Sequence, residues 1–460
     1  MALIKSISGI RGTIGGKPGE NLTPLDIVKF TAAYAASLNT DSNSKTIVIG
    51  RDGRISGPMV SDLCANTLMA CGFDVVDLGL TTTPTVEIAV KAENASGGII
   101  LTASHNPKEW NALKLLNSSG EFLNAEAGEN VLTIAKNENF NFVPVDKMGH
   151  YKKDDSYLQK HIEAVVNYDL VDVDAIKKAK FKIVLDPINS SGAIYIPALL
   201  KALGVKDIVV INEVVNGKFE HNPEPLPKNL NRLSSEVVKQ DASLGIAVDP
   251  DVDRLCFVCE DGSMFGEEYT LVAVADYILT NRKGNTVSNM SSTKSLKEIT
   301  HKHGSDYFPS AVGEVNVVNK MKEVKAVIGG EGNGGIIVPD FHYGRDALIG
   351  IGLFLSSLAH SKKSIKQFRG DFPDYFISKN KIMLEKSMDV KDIFQKIKDK
   401  YKDNPVNTED GLKIEFGNDW VHLRPSNTEP ILRIYSESNF ETTAENIARK
   451  IINDIHEVMG

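Results

Sequence analysis

Three aspartates alternate with Pro250 and Val252 in the run Asp249-Pro250-Asp251-Val252-Asp253, and they supply only oxygen donors. Oxygen ligands suit a hard cation, with Mg²⁺ the leading choice, and the spacing lacks the twelve-residue ligand pattern of an EF-hand. In an extended segment these side chains share a face at about 6.5–7 Å per two residues, and a curved loop brings them onto one ion. The competing reading is a solvated acidic turn, which has no need of the apolar run at 243–248 that precedes it. A second polar tip, Thr102-Ala103-Ser104-His105-Asn106-Pro107, ends the apolar run at 97–101. Pro107 cannot donate to a strand ladder, so this loop can project the Ser104 hydroxyl. A hydroxyl serves as nucleophile or group carrier only beside a base, a charge partner or a metal. Taken alone, Ser, Asn and Pro are ordinary turn formers.

Two further loops have compositions suited to a ligand. Gly330-Glu331-Gly332-Asn333-Gly334-Gly335 lets backbone approach a ligand closely and places Glu331 and Asn333 where they can hold sugar hydroxyls, although a flexible turn has the same composition. It has neither the Walker lysine nor the dinucleotide spacing. Arg424-Pro425-Ser426-Asn427-Thr428-Glu429-Pro430, with Arg433 beyond it, offers charged forks and hydroxyls for a phosphate on a loop that two prolines stiffen. A plain surface hairpin is its alternative.

These tips need strands to carry them. Residues 46–49, 56–72, 73–78 and 97–101 read as strand, helix, strand, strand, and the last ends at Ser104. The same order returns at 181–185, 193–204, 207–211 and 243–248, ending at Asp249, and more loosely at 285–290, 292–303 and 324–329, ending at the glycine-rich loop. In open α/β sheets ligands bind beyond the carboxyl ends of strands, so three such units can turn three unlike loops toward one cleft. From about residue 372 the pattern becomes a smaller α+β unit closed by an amphipathic helix at 441–458. The expected domains are 1–150, 151–255, 256–371 and 372–460.

The totals agree with several compact domains: 460 residues, 42% hydrophobic and 24% charged, are ordinary for a folded multidomain chain. A net charge of −8 argues against a nucleic-acid surface, and no stretch reaches the roughly 18 apolar residues of a spanning helix. With no apolar core for a signal peptide in MALIKSISGIRG, a soluble cytoplasmic protein is expected, without nucleic-acid or membrane partners. Four cysteines are too few for a disulfide framework, and Cys256-Phe257-Val258-Cys259 reads as buried free thiols rather than a metal or redox pair.

TASHNP, DPDVDR, GEGNGG and RPSNTEP occur in this order along essentially the whole chain, which thereby resembles the α-D-phosphohexomutase superfamily. SGIRG at 8–12, the EGNGG variant and the TEP ending make the nearer resemblance the phosphoglucosamine mutases. The resemblance implies three similar α/β domains with mixed sheets and a smaller α+β C-terminal domain around a central cleft, Mg²⁺ dependence, and a phosphoserine that exchanges phosphate with a hexose phosphate. It implies that Ser104 is phosphorylated beside a Mg²⁺ held by Asp249, Asp251, Asp253 and that serine. Arg11, His105, Lys114 and Arg254 match positions near the transfer site. Glu331 and Asn333 match sugar contacts, and Arg424, Ser426, Asn427, Thr428 and Arg433 match the grip on the non-reacting phosphate. Two departures stand out: Asn111-Ala112-Leu113-Lys114 replaces the usual Asn-Gly-Ile-Lys, and Gly335 stands where several relatives carry a proton-transferring histidine, with His342 a few residues onward as the substitute.

The implied reaction is reversible phosphoryl transfer through a sugar 1,6-bisphosphate that turns round while bound, with glucosamine 6-phosphate to glucosamine 1-phosphate favoured over glucose or mannose phosphates. Three aspartates and a phosphoserine carry about −5, Mg²⁺ leaves about −3, and Arg11, Lys114 and Arg254 are expected to offset the rest. A mobile last domain is expected to let the intermediate turn. A Mg²⁺-dependent phosphatase or sugar-nucleotide transferase, and a noncatalytic sugar-phosphate binding protein, are the rival readings; neither of the first two needs Ser104.

Overall fold

The computed structural model describes residues 3–6, 9–38, 44–384, 389–426 and 431–459. The chain divides into two compact units, one of residues 1–277 with 333–369 and one of residues 278–332 with 370–460.

In the first unit, β-rich segments of the chain build two mixed sheets. Seven strands lie in the order Leu3–Ser6, Gly9–Thr13, Trp110–Leu116, Gly97–Leu101, Thr46–Arg51, Asp74–Leu80 and Tyr151–Lys153. The strand Gly97–Leu101 is buried at every position, as its unbroken GGIIL predicts, because it is parallel to Thr46–Arg51 and antiparallel to Trp110–Leu116 with helices over the sheet. The helix Pro24–Ser37 begins where Thr23 and Asp26 form a reciprocal capping box with Pro24 at its first position. Its Ile27, Phe30 and Tyr34 enter the same core as Ile47, Ile49, Ile99 and Leu101.

The second sheet runs Leu255–Cys259, Leu244–Val248, Lys182–Asp186, Asp207–Val210, antiparallel at its first pair and parallel thereafter. Phe257 stacks at 3.7 Å on Phe354 of the helix Ala347–Ser361, whose largely apolar sequence is buried along most of its length. The strand Leu255–Cys259 pairs antiparallel with Leu244–Val248, and Tyr151–Lys153 pairs parallel with Asp74–Leu80, backbone pairings that apolar periodicity does not show. Cys64, Cys256 and Cys259 are buried free thiols, and Cys71 is a half-buried one.

In the second unit, the parallel strands Tyr307–Ser310, Asn285–Asn289 and Ala326–Glu331 carry the helices Ser295–Lys302 and Glu314–Val324. A five-stranded antiparallel sheet follows, ordered Phe376–Met383, Ile431–Ser438, Asp419–Pro425, Leu412–Phe416, Val406–Asn407. Ile393 and Ile397, one turn apart on the helix Val390–Lys400, pack with Leu423, Leu432, Ile434, Ile451 and Ile455. Asp389 caps that helix by accepting from the Lys391 N–H. The C-terminal sheet is held to the preceding α/β part by Lys413 Nζ donating to the Met290 carbonyl and by His422 Nδ1 2.9 Å from Ser291 Oγ. Among the described residues, no helix is long and apolar enough to cross a membrane.

Candidate active site

The serine tip is held by a side chain from the loop that follows the strand Thr46–Arg51. Arg54, 1% exposed, spends all five of its N–H donors. Nε pairs with Asp52 Oδ2, while the terminal nitrogens donate to the carbonyls of Ser104, Asn106, Pro107 and Trp110, all within 2.5–3.0 Å. Thr102 Oγ1 donates to Asp52 and accepts from the Ser104 N–H. So clamped, Ser104 sits at φ 49, in the left-handed region that a non-glycine residue enters at a cost.

The aspartate loop turns instead of extending. Val252 is at φ 62, a position β-branched residues rarely take, and its N–H closes a turn onto the Asp249 carbonyl. Carboxylate oxygens of Asp249, Asp251 and Asp253 thereby come within 4.8 Å of one another, all buried. Asp249 Oδ1 accepts the N–H groups of Asp253 and Arg254, and Asp249 Oδ2 accepts from Ser104 Oγ at 2.7 Å. The serine hydroxyl and the acidic loop, 145 residues apart in sequence, are therefore in direct contact.

Each of the other two aspartates has one oxygen engaged and one left over. Asp251 Oδ2 meets Lys114 Nζ at 2.8 Å and Thr83 Oγ1 at 2.6 Å; Asp253 Oδ2 meets Arg345 at 2.7 Å and Lys114 at 3.6 Å. Asp251 Oδ1 and Asp253 Oδ1 are buried with no hydrogen-bond partner. Two orphaned carboxylate oxygens beside a third carboxylate and a hydroxyl fit a hard dication, since buried anionic oxygens without partners are costly. Burial and the charges of Asp253 and Asp251 push the Asp249 carboxyl well above the ordinary range. For Asp251 burial acts in the same direction, but Lys114 and Thr83 outweigh it and hold the group below that range.

The cations expected near the transfer site lie in this unit. Burial favours the neutral form of Lys114, and the charges of Asp251 and Asp253 overcome it, keeping the ammonium protonated. Arg11 donates to Asn106 Oδ1 at 2.6 Å, and Arg254 pairs with Glu224 at 3.2 Å. His105 Nδ1 stands 3.4 Å from Ser104 Oγ, and burial together with Arg254 and Arg11 drives its pKa well below the usual histidine value. His342 instead lies 3.1 Å from Asp346, which His161 also contacts at 2.9 Å, and 3.4 Å from Glu87.

The sugar and phosphate candidates divide between the units. Asn333, in the first, accepts the Gly335 N–H on Oδ1. Glu331, in the second, is buried, and its Oε1 accepts from Asn289 Nδ2 at 2.9 Å and from the Gly313 N–H at 3.1 Å. Arg424 stands directly opposite Arg433 in the antiparallel register, and Ser426 closes the strand pair by donating its N–H to the Ile431 carbonyl. Asn427 and Thr428 lie outside the described residues.

Four domain families match in chain order: phosphoglucomutase/phosphomannomutase α/β/α domain I over residues 3–142, domain II over 159–262, domain III over 266–375, and the C-terminal domain over 381–453. The chain belongs to the α-D-phosphohexomutase superfamily. It is similar to a phosphoglucomutase/phosphomannomutase of Thermococcus kodakarensis, 36% identical over 94% of this chain and 95% of the relative. It is also similar to a phosphoglucosamine/phosphogalactosamine mutase of Sulfurisphaera tokodaii, 30% identical over 100% and 99%. The crystal structure of a Burkholderia thailandensis phosphoglucomutase/phosphomannomutase family protein shares the fold with a TM-score of 0.86, at 24% identity over 99% of this chain and 97% of that one. These likenesses make the protein a phosphohexomutase with three α/β domains and a smaller C-terminal domain.

Several residues of the phosphohexomutase site escaped sequence reading. Asp52 and Arg54 follow the strand Thr46–Arg51 in a charged Arg-Asp-Gly-Arg segment, a signal that an internal role was available; Thr83, Glu224 and Arg345 carry no local signal at all. Their parts are set by contacts across 30 to 168 positions of sequence.

Proposed function

We propose that this phosphohexomutase moves phosphate between two positions of a hexose phosphate through phosphorylated Ser104 and a bound bisphosphate, with glucosamine 6-phosphate and glucosamine 1-phosphate as the pair. The observation that carries the reading is the 2.7 Å contact of Ser104 Oγ with Asp249 beside the two orphaned oxygens of Asp251 and Asp253. In the first transfer the phosphoserine O–P bond breaks as a sugar hydroxyl bonds to phosphorus; the hydroxyl loses a proton and Ser104 Oγ takes one up. The return transfer breaks the other phosphate ester of the bisphosphate and restores phosphoserine. Asp249, Asp251, Asp253 and phosphorylated Ser104 would hold a Mg²⁺, which would supply positive charge against the transferring oxygens. Lys114 and Arg11 sit where they neutralise those oxygens, and His105, kept uncharged, is placed to hold a proton at Oγ.

Glu331 and Asn333 are assigned to sugar hydroxyls, and Arg424, Ser426, Asn427, Thr428 and Arg433 to the phosphate that is not being transferred. Support for the latter comes from the Arg424 and Arg433 pairing, which brings two guanidinium groups to one face of the sheet where this loop begins and ends. The amino-sugar assignment rests on the EGNGG and TEP segments and on the Sulfurisphaera relative. The 36% identity to the Thermococcus phosphoglucomutase/phosphomannomutase favours glucose and mannose phosphates as the second reading.

Intact mass spectrometry tests the core of the reading. Incubation with a hexose 1,6-bisphosphate should add one phosphate to the chain, absent in Ser104→Ala together with turnover; a fully active Ser104→Ala would falsify it. Side-by-side turnover of glucosamine, glucose and mannose phosphates decides the substrate, and binding without turnover of any of them would leave a sugar-phosphate binding protein.

A further inference from the structure

The C-terminal sheet carries a line of cations that extends one strand beyond the loop at 424–430. Arg424 is directly opposite Arg433, and Arg433 is directly opposite Lys381 on the edge strand Phe376–Met383. Directly opposed residues on neighbouring antiparallel strands present their side chains to the same face, with Cβ atoms about 4.5–5.5 Å apart. Leu423, Leu432 and Ile382, their immediate neighbours, belong to or pack against the core on one face, so the three cations lie on the other. The line runs one residue pair in from the hairpin end, where Pro425 faces Leu432.

Asp410 aims one end of this line. Its Oδ2 accepts Arg424 Nε at 2.9 Å and the Val312 N–H at 2.8 Å. Gly313, the next residue, donates to Glu331. Arg424 is thus fixed by its Nε edge to the part of the unit that carries Glu331. An arginine held in this way directs its two terminal nitrogens away from the carboxylate, the fork geometry that grips phosphate oxygens.

We propose that Lys381 is a third cationic residue of the phosphate grip, binding the non-reacting phosphate of the hexose phosphate together with Arg424 and Arg433. The inference rests on the reading of that loop given above. Two strand spacings separate Lys381 from Arg424 by about 10 Å, which long flexible side chains close over an anion lying above Arg433. A phosphate monoester carries about −2 near neutral pH, and a line of three cations relieves its own repulsion by sharing that charge. The bland alternative is that an exposed edge-strand lysine only guards against edge-to-edge pairing. That role has no bearing on ligand affinity.

The test compares Lys381→Met, Lys381→Arg and Lys379→Met. Lys379 is two residues away on the same face, opposite Tyr435, and controls for the loss of an edge lysine. Lys381→Met should raise KM for the hexose phosphate about fivefold with kcat retained, as expected for one solvent-screened charge contact. It should weaken inorganic phosphate binding, measured by calorimetry, by a similar factor and reduce its salt dependence. Lys381→Arg should keep most of the affinity, and Lys379→Met should match the parent protein. Unchanged KM and phosphate affinity in Lys381→Met, or an equal loss in Lys381→Arg or Lys379→Met, would overturn the inference. Failure of Ser104 to take up phosphate would sink the mutase reading separately, because the calorimetric arm needs no turnover.

Discussion

Arg345 Cδ lies 2.3 Å from where a Cβ on Gly335 would stand, so the arginine stem runs through space that any side chain at 335 would claim. The far end of the same arginine meets Asp253 at 2.7 Å. The glycine at the end of the 330–335 loop is therefore matched to an extra cation at the acidic triad. It also completes the charge count. Glu224 takes a share of Arg254, and Arg345 replaces that share beside Asp253.

Gly335→Ala should act through Arg345. We expect Arg345→Met to lower kcat by about 10–100-fold, the scale for losing a partner that orients a metal-ligating carboxylate. Gly335→Ala should lower it by a smaller factor in the same direction, and the double variant should be no worse than Arg345→Met alone. Steady-state kinetics of the three variants check this; additive losses would show that the two positions act independently.

Removing Arg54 should loosen the serine tip without touching the metal. Arg54→Met leaves Asp52 buried without its partner and frees four carbonyls of the 104–110 segment. A cost of about 3–5 kcal/mol in stability is expected, measured by urea unfolding, with a matching fall in Ser104 phosphorylation. Arg54→Lys should fare little better, since one ammonium cannot reproduce five donors in a fork.

Chelation should abolish turnover, with Mg²⁺ restoring it. Asp251→Asn should weaken Mg²⁺ binding at least about tenfold by calorimetry, because it removes an anionic oxygen from the ligand set. The same change should lower the thermal stability of the metal-free protein, because Lys114 and Thr83 hold Asp251 ionised below its usual range and its neutralisation leaves the buried Lys114 ammonium less compensated.

His422 should set part of the acid limb of stability. It is buried, Nε2 donates to the Asp410 carbonyl at 2.6 Å, and Nδ1 accepts from Ser291, an arrangement that holds the ring neutral. Burial is the main cause that lowers its pKa to about 4, against the opposing pull of Asp410. The folded value lies below the unfolded one, so this contribution is fully present above about pH 6.5 and is lost as pH falls toward 4. Unfolding curves should show a loss on the order of 3 kcal/mol across that window, and His422→Gln should flatten it.

Much of this site was legible in the chain because its tools are local. A serine, three aspartates and an arginine loop each follow an apolar run, and strand periodicity together with turn chemistry shows where a loop leaves a sheet. The order of the four motifs carried the family, and composition carried the division into several domains. The extended aspartate segment considered at first is instead a turn at Val252, because hydrogen bonds onto Asp249 outweigh the backbone preference of a β-branched residue.

The sequence by itself determined which residues could hold a metal, a phosphate and a sugar, since side-chain chemistry and spacing along a strand end are local properties. Only the tertiary structure decided that Ser104 meets Asp249, that Arg54 clamps the serine tip, that Arg345 fills the space beside Gly335, and that Lys381 stands in line with Arg433 and Arg424. These are consequences of strand order and register, which follow from the summed packing of distant segments and leave no mark on any short stretch of sequence.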